Sequence, residues 1–325
     1  MVYDIAVIGN DEAAFEMLLA AAGSGLKTVA VIPESRHSSW LVGQALQRLI
    51  ADLLVDRTTE RRRLFAEAGT PRLLQKLISG AVVDETAEHI QTLDRLGIDV
   101  LLGEARFLSA DRASVSEGIR CGRSMLQAKH FVIGTGVRHT AMHRPLGLVP
   151  FLRPESLFEG ARLPDSLCLL GGDVFGAGLA ALFSLFGVEA RHVARDDRNA
   201  VMLDLAQAAG VAVAFHPSEF GLSGTGSLCA IDHADVVDCR RTVGFTEHLG
   251  LSQIGVEPDE NGQLWCGGNL ETWCRNVFGV GDVIGFSPDF LSSAASQAQR
   301  VLKQIRCAVP RPHLRDVFVH ATVST

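Results

Sequence analysis

"VYDIAVIGNDEAAFEMLLAAAGSGLKTVAVI", residues 2–32, is the stretch on which the fold turns. Tyr3 to Ile8 is a nearly unbroken apolar run, the pattern of a strand covered on both faces in a parallel sheet. Asp11 to Ala22 has helical periodicity, and Gly23 and Gly25 end it. Thr28 to Ile32 is a second strand, stopped by Pro33 and Glu34. Strand, tight turn, helix and strand make the βαβ unit of a nucleotide-binding sheet, whose turn ordinarily reads Gly-x-Gly-x-x-Gly. Here it reads Gly9-Asn10-Asp11-Glu12-Ala13-Ala14, with an acid at the second glycine and alanine at the third.

The same design recurs far along the chain. Ser166 to Leu170 is a strand, Gly171-Gly172-Asp173-Val174-Phe175-Gly176 is the turn, and a helix runs to about Phe186. The strand Glu189 to Ala194, a helix over Ala200 to Ala209 and the strand Val211 to Phe215 complete this second unit. Asp173 again stands at the second glycine, while Gly171 and Gly176 are kept. Between the units, the pattern predicts helices near Leu41 to Phe65 and from Thr70-Pro71 to Gly97, then a strand over Ile98 to Leu102. Short alternating segments to Ile119 predict a small antiparallel patch, and His130 to Ile133 a strand ending in Gly134-Thr135-Gly136. Arg153 to Asp165, with Pro154 and Pro164, reads as a linker. Asn276 to Val280 is a further strand entering Gly281-Asp282, followed by a helix over Asp289 to Ile305. The expected fold is α/β, with two Rossmann-like three-layer domains, the second inserted in the first.

Composition narrows the function. The chain has 325 residues, enough for two cores, and a formal net charge of −7. Its one basic run, Arg61 to Arg63, reads as a solvated helix face, so nucleic acid is not an expected partner. Seven cysteines at irregular spacing, with no C-x-x-C pair, fit buried thiols in a reducing cytoplasm rather than a disulfide framework or a metal site. Asp4 inside the first strand and the absence of a basic leading segment argue against a signal peptide. The apolar stretch Leu167 to Val188 breaks at Gly171-Gly172 and reads as a strand plus a buried helix, not a membrane span.

Taken in order, the first βαβ unit, Gly134-Thr135-Gly136, the second unit and "VFGVGDVIGFSPDFLSSAASQAQR" (277–300) resemble the FAD-dependent pyridine nucleotide–disulfide oxidoreductases, most of all their soluble transhydrogenases. Arg241-Thr242 with Leu249-Gly250-Leu251, and Asn261-Gly262-Gln263-Leu264, add to the resemblance, which covers about residues 1–308. It implies a discontinuous FAD domain over 1–150 plus 270–310, an NAD(P)H domain over 151–269, and hydride transfer from nicotinamide to flavin. It also implies that Asp282, after Gly281, bonds the ribityl chain of FAD, that Gly134, Thr135 and Gly136 mark the exit from the flavin domain, and that Glu34 meets the adenosine ribose. Arg195 and Arg198 stand where a 2′-phosphate would be received, or else pair with Asp196 or Asp197.

Four departures qualify that implication. Glycine at the second position lets backbone approach a pyrophosphate seated on the helix N-terminus. Asp11 and Asp173 would fill that volume, and two charges about 4 Å apart at an effective dielectric near 20 repel by ~4 kcal/mol. The alternative is that each aspartate caps its own helix. The segment "ESRHSSWLVGQALQRL" (34–49) has neither the family's cysteine pair nor its lysine, although Gly43 and Ala45-Leu46 match its flanks. His37, Ser38 and Ser39 there lack an orienting acid and read as a polar loop. Within the 311–325 tail, "DVFVHATVST" (316–325) reads as one strand, a remnant of the dimerisation domain, so a monomer or a dimer of another kind is expected. No catalytic residue and no metal ligand is assigned. Trp265 and Trp273 are read as packing residues; exposed, they would mark a partner surface. Two functions stay open: an FAD- and NAD(P)H-dependent oxidoreductase with weak or lost activity, and a cofactor-free descendant acting as a binding or regulatory protein.

Overall fold

The computed structural model describes residues 2–34, 36–55, 70–116, 122–140, 152–195, 197, 199–215, 235–287 and 293–307. The Arg61–Arg63 run, Asp196, Arg198, Cys121, Cys229 and the 311–325 tail lie outside them. In chain order the first elements are β1 (Val2–Ile8), α1 (Glu12–Ala22), β2 (Thr28–Ile32), α2 (Ser39–Val55) and α3 (Pro71–Arg95). There follow β3 (Asp99–Leu102), β4 (Glu104–Ser109), β5 (Arg112–Ser116), β6 (Arg123–Ile133), β7 (Val137–Thr140), β8 (Ser166–Leu170) and α4 (Asp173–Leu185). The chain continues through β9 (Glu189–Ala194), α5 (Ala200–Ala208), β10 (Ala212–Phe215), β11 (Asp235–Asp238), β12 (Arg241–Gly244) and β13 (Leu264–Trp265). The last are β14 (Val277–Gly279), β15 (Ile284–Phe286) and α6 (Ala294–Arg306). The chain divides into two compact units, 1–38 with 88–138 and 243–325, and 39–87 with 139–242.

In the first unit the sheet order is β3-β2-β1-β6-β5-β4, with β14 also paired to β6. The β3, β2, β1, β6 and β14 pairings are parallel, and β4 and β5 add the antiparallel patch. Ile5, Ala6 and Val7 are fully buried, as the unbroken apolar run requires of a central parallel strand. The third-glycine position has a tertiary substitute. Ala14 is fully buried, and a Cβ on Gly134 would lie 2.7 Å from its methyl, so glycine at 134 makes the room that glycine at 14 would otherwise give.

The second unit has an all-parallel sheet, β10-β9-β8-β11. β8 and α4 divide the apolar stretch Leu167 to Val188, and no helix among the described residues is long and apolar enough to cross a membrane. Helix α2 packs on α4 within this unit. Glycine makes that contact close: a Cβ on Gly178 would lie 2.9 Å from the Leu46 Cβ, and one on Gly43 3.0 Å from Val174 Cγ1. The linker reading of 153–165 includes one 3₁₀ turn, Pro154–Phe158, with Leu157 buried.

Candidate functional site

In the first unit the carboxyl ends of β1, β6 and β14 lie side by side. Gly134 N–H donates to Ile8 O at 2.8 Å, and Val280 N–H to Ile133 O at 2.9 Å. Their exits therefore bring Gly9–Asp11, Gly134–Gly136 and Gly281–Asp282 to one edge. Gly9 has φ 129°, and a Cβ there would lie 2.1 Å from Gly134 O, so this first glycine is sterically required.

Asp11 holds the N-cap position of α1, with φ −84° and ψ 165°, but its side chain makes no capping bond. The cap expected of Asp11 is not made as a side-chain hydrogen bond: the carboxyl lies in the crevice between Gly136 and Gly281, with the Glu12 amide beside it. A Cβ on Gly281 would lie 2.4 Å from Asp11 Oδ2, and one on Gly136 2.8 Å from Cγ and Oδ1. Oδ2 accepts the Asp282 N–H at 3.4 Å, and Asp11 is only 2% exposed. Burial pushes this carboxyl up to about 7, with the Asp282 charge adding to the effect; the Asp282 and Glu12 amides pull the other way and do not prevail. Asp282 itself is exposed.

Hydrogen bonds from neighbouring segments complete the edge. Asn10 Oδ1 accepts the Ser38 N–H at 3.1 Å, Ser38 Oγ donates to Asn10 O at 3.2 Å, and Asn10 Nδ2 donates to Arg36 O at 3.2 Å. Ser38 is fully buried, so the 36–38 loop is fastened over the turn rather than open as a polar loop. Gln297 Oε1, from α6, accepts the Gly281 N–H at 2.7 Å. Thr135 is 4% exposed, and its Oγ1 meets no partner among the described residues. Beside the loop, Glu104 Oε2 lies 3.6 Å from Arg36 Nε and 3.3 Å from His248 Nε2, while Glu247 Oε1 lies 3.5 Å from an Arg138 nitrogen. Sequence reasoning missed Asn10, Gln297 and this ion network, whose members are scattered along the chain without a motif.

The second unit treats its acid differently. Gly171, Gly172 and Asp173 have φ 69°, 82° and 43°, three successive left-handed residues. Gly172 is the N-cap of α4, and Asp173 is the first helical residue and exposed, so the expected cap falls one residue early. Gly176 keeps its role: a Cβ there would lie 2.0 Å from Gly171 O. Beneath it sits His192, fully buried, with neither ring nitrogen meeting a partner among the described residues. Burial pushes this imidazole down to about 4. Between pH 6.5 and 4 the unfolded chain takes up a proton that the folded one refuses, so His192 makes stability fall as pH drops through that window. His192→Leu is expected to stabilise by about 1 kcal/mol at pH 7, and by more at pH 5, in paired denaturant titrations. A loss of stability at both pH values would show that the ring nitrogens are satisfied after all.

The other candidates divide. Glu34 is exposed just beyond the end of β2, and Arg195 is exposed just after β9. Cys168, Cys239 and Cys266 are buried; burial raises the Cys239 thiol and pushes Cys266 up to about 12, so neither is a nucleophile at neutral pH. No cluster of metal-ligating side chains occurs among the described residues. Trp265 is 40% exposed and its ring lies tilted against Phe286, centroids 5.3 Å apart. At the first turn the Asp11 carboxyl fills the space between Gly136 and Gly281. The second turn has no such plug: Asp173 projects at an exposed position, and Gly176 preserves the close approach.

One mixed and one all-parallel sheet, each with a glycine turn at the carboxyl edge of its first βα unit, define the class of dinucleotide-type α/β folds. The sequence profile of the pyridine nucleotide-disulphide oxidoreductases matches residues 3–309, and the chain belongs to that family of FAD- and NAD(P)H-dependent oxidoreductases. It is similar to the soluble pyridine nucleotide transhydrogenase of Hahella chejuensis, 26% identical over 344 residues, covering 93% of this chain and 70% of the relative. The enzyme of that name from a Marinomonas species is 27% identical over 331 residues, covering 91% and 69%. Among solved structures, the HOCl-induced flavoprotein disulfide reductase RclA from Escherichia coli superposes with a TM-score of 0.58 at 17% identity, over 97% of this chain and 73% of that one. LpdA from Mycobacterium tuberculosis gives 0.56 at 18%, over 96% and 74%. At those identities the structures speak to the fold alone.

Proposed function

We propose that this chain keeps the family's fold but does not carry FAD in the family's manner, and that it acts as a non-catalytic dinucleotide-fold protein whose ligand, a pyridine nucleotide, binds in the second unit. The observation that carries this reading is the buried Asp11 carboxyl lodged between Gly136 and Gly281. Steric closure acts at every pH, charge only above about pH 7. With the carboxyl near 7, an approaching diphosphate can be met by proton uptake, so at pH 8 the charge alone would cost only about 1.4 kcal/mol. The occupied volume remains in either protonation state, and the Asn10–Ser38 bonds hold the neighbouring loop down over it.

The second unit supports the retained half of the proposal. Its anion-facing helix end is that of α4, 13 residues long, and Gly171 and Gly176 keep the backbone close. The Asp173 charge lies in solvent, where screening weakens its effect on a nearby phosphate. Arg195 at the end of β9 favours the 2′-phosphorylated nucleotide. The test is equilibrium titration of the purified chain, with its visible spectrum. The expected result is a colourless protein with no saturable FAD binding at micromolar concentrations, but saturable binding of NADPH. A yellow protein with about one flavin per chain would overturn the first half, and NADPH failing to bind would overturn the second.

A further inference from the structure

In the sheet of the second unit β9 and β10 lie on one side of β8, and β11 lies on the other. A dinucleotide lies across the point where the strand order reverses. Its adenosine ribose meets the end of the strand after the glycine turn, here β9, so its other half must extend towards β11. The two sides of this crevice differ.

On the β9 side Asp173 and Arg195 are exposed. On the β11 side the crevice is filled. Cys239, the residue after β11, is fully buried, and its N–H donates to Leu170 O at 2.9 Å. It approaches the glycine turn so closely that a Cβ on Gly172 would lie 2.7 Å from the Cys239 Cβ. Asp238, the last residue of β11, is also fully buried. It accepts the Arg240 guanidinium through both oxygens, at 2.8 Å and 3.0 Å, and the Arg240 N–H at 3.0 Å. The Arg240 side chain is thereby folded onto an internal acid and is only 8% exposed. The first turn of α4 is covered as well: Phe175 stacks on His139, centroids 5.1 Å apart, and the His139 ring donates to the Cys239 backbone. A second nucleoside placed here would have to part that stack and displace Cys239 or Arg240. Taking Arg240 away strands the Asp238 charge in the interior, which is strongly destabilising.

We propose that the second unit is a half-site: it engages the adenosine and phosphate half of a pyridine nucleotide and leaves the nicotinamide half in solvent. The half-site rests on the reading that the second unit binds a pyridine nucleotide, and adds that it does not distinguish the oxidised form from the reduced one. Such a site follows the total concentration of the nucleotide, whatever its oxidation state.

Equilibrium titration of the native full chain with NADPH, NADP+, 2′-phospho-ADP-ribose and reduced nicotinamide mononucleotide tests it. The first three are expected to bind within about threefold of one another, and the mononucleotide not to displace NADPH. Bound NADPH is expected to keep the emission wavelength of the free reduced ring. Binding of NADPH more than about threefold tighter than that of 2′-phospho-ADP-ribose, a gap of that size between NADPH and NADP+, a blue-shifted emission, or displacement by the mononucleotide would overturn the half-site while the unit still binds a nucleotide. Failure of all three adenosine-bearing ligands to bind would instead overturn the reading beneath it, and the half-site with it.

Discussion

Asp11→Gly is expected to tighten FAD binding by about three decades at pH 9 and by less at pH 6. Two contributions add. At pH 9 a carboxyl near 7 must take up a proton against about two decades of hydrogen-ion activity before a diphosphate can lie beside it. The remaining decade or so comes from volume, since overfilling a packed site costs about 1–3 kcal/mol. At pH 6 the first contribution vanishes and only the volume effect is left. Fluorescence titration of FAD at the two pH values measures both. The second substitution that the glycine pattern suggests, Ala14→Gly, is not expected to help: the Ala14 methyl fills the room left by Gly134, and glycine inside α1 costs about 1 kcal/mol. Equal affinities for native chain and Asp11→Gly at both pH values would remove Asp11 from the account of FAD binding.

Asp11→Asn is expected to change the pH dependence of stability more than any other single replacement in the first unit. The folded-state carboxyl sits near 7, against an ordinary value of 3.8, so the folded chain holds a proton that the unfolded chain releases. Stability from this group is therefore undiminished below pH 3.8, falls as pH rises through the window to 7, and stays low above it. The full span is up to about 4 kcal/mol. Asparagine keeps the shape and cannot ionise, but its amide group needs a partner in the crevice, so a net gain of about 1–3 kcal/mol at pH 8 is expected. Denaturant titrations at pH 5 and pH 8 should show the gain at the higher pH. Only the difference between variant and native chain isolates Asp11, because His192 tilts stability the opposite way between pH 4 and 6.5. A larger gain at pH 5 than at pH 8 would contradict the assignment.

Much of this architecture was legible before any coordinate. β2 and β8 begin and end where the apolar runs do, because a central parallel strand must be apolar on both faces and Pro33 and Gly171 mark their exits. The acids at the second glycine of each turn were equally visible, and they located both candidate sites. The short strands β11, β12, β13 and β15 were not: two to four residues carry too little periodicity to separate from a loop, and Asp235 and Asp238 disguise β11 further. The helix predicted over Asp289 to Ile305 is described from Ala294, capped by Ser293, with its first predicted residues outside the described set.

By itself, then, the sequence determined two βαβ frames, their family and the presence of an acid at each glycine turn, because periodicity and turn chemistry are local properties. Tertiary structure alone decided that the two acids differ. Asp11 meets the backbone of Asp282, 271 positions away, and is sealed in by Gly136 and Gly281; Asp173 is exposed, the last of three successive left-handed residues. Whether a carboxyl is hydrated or buried depends on what distant segments bring against it, and that sets both its charge and the space it leaves.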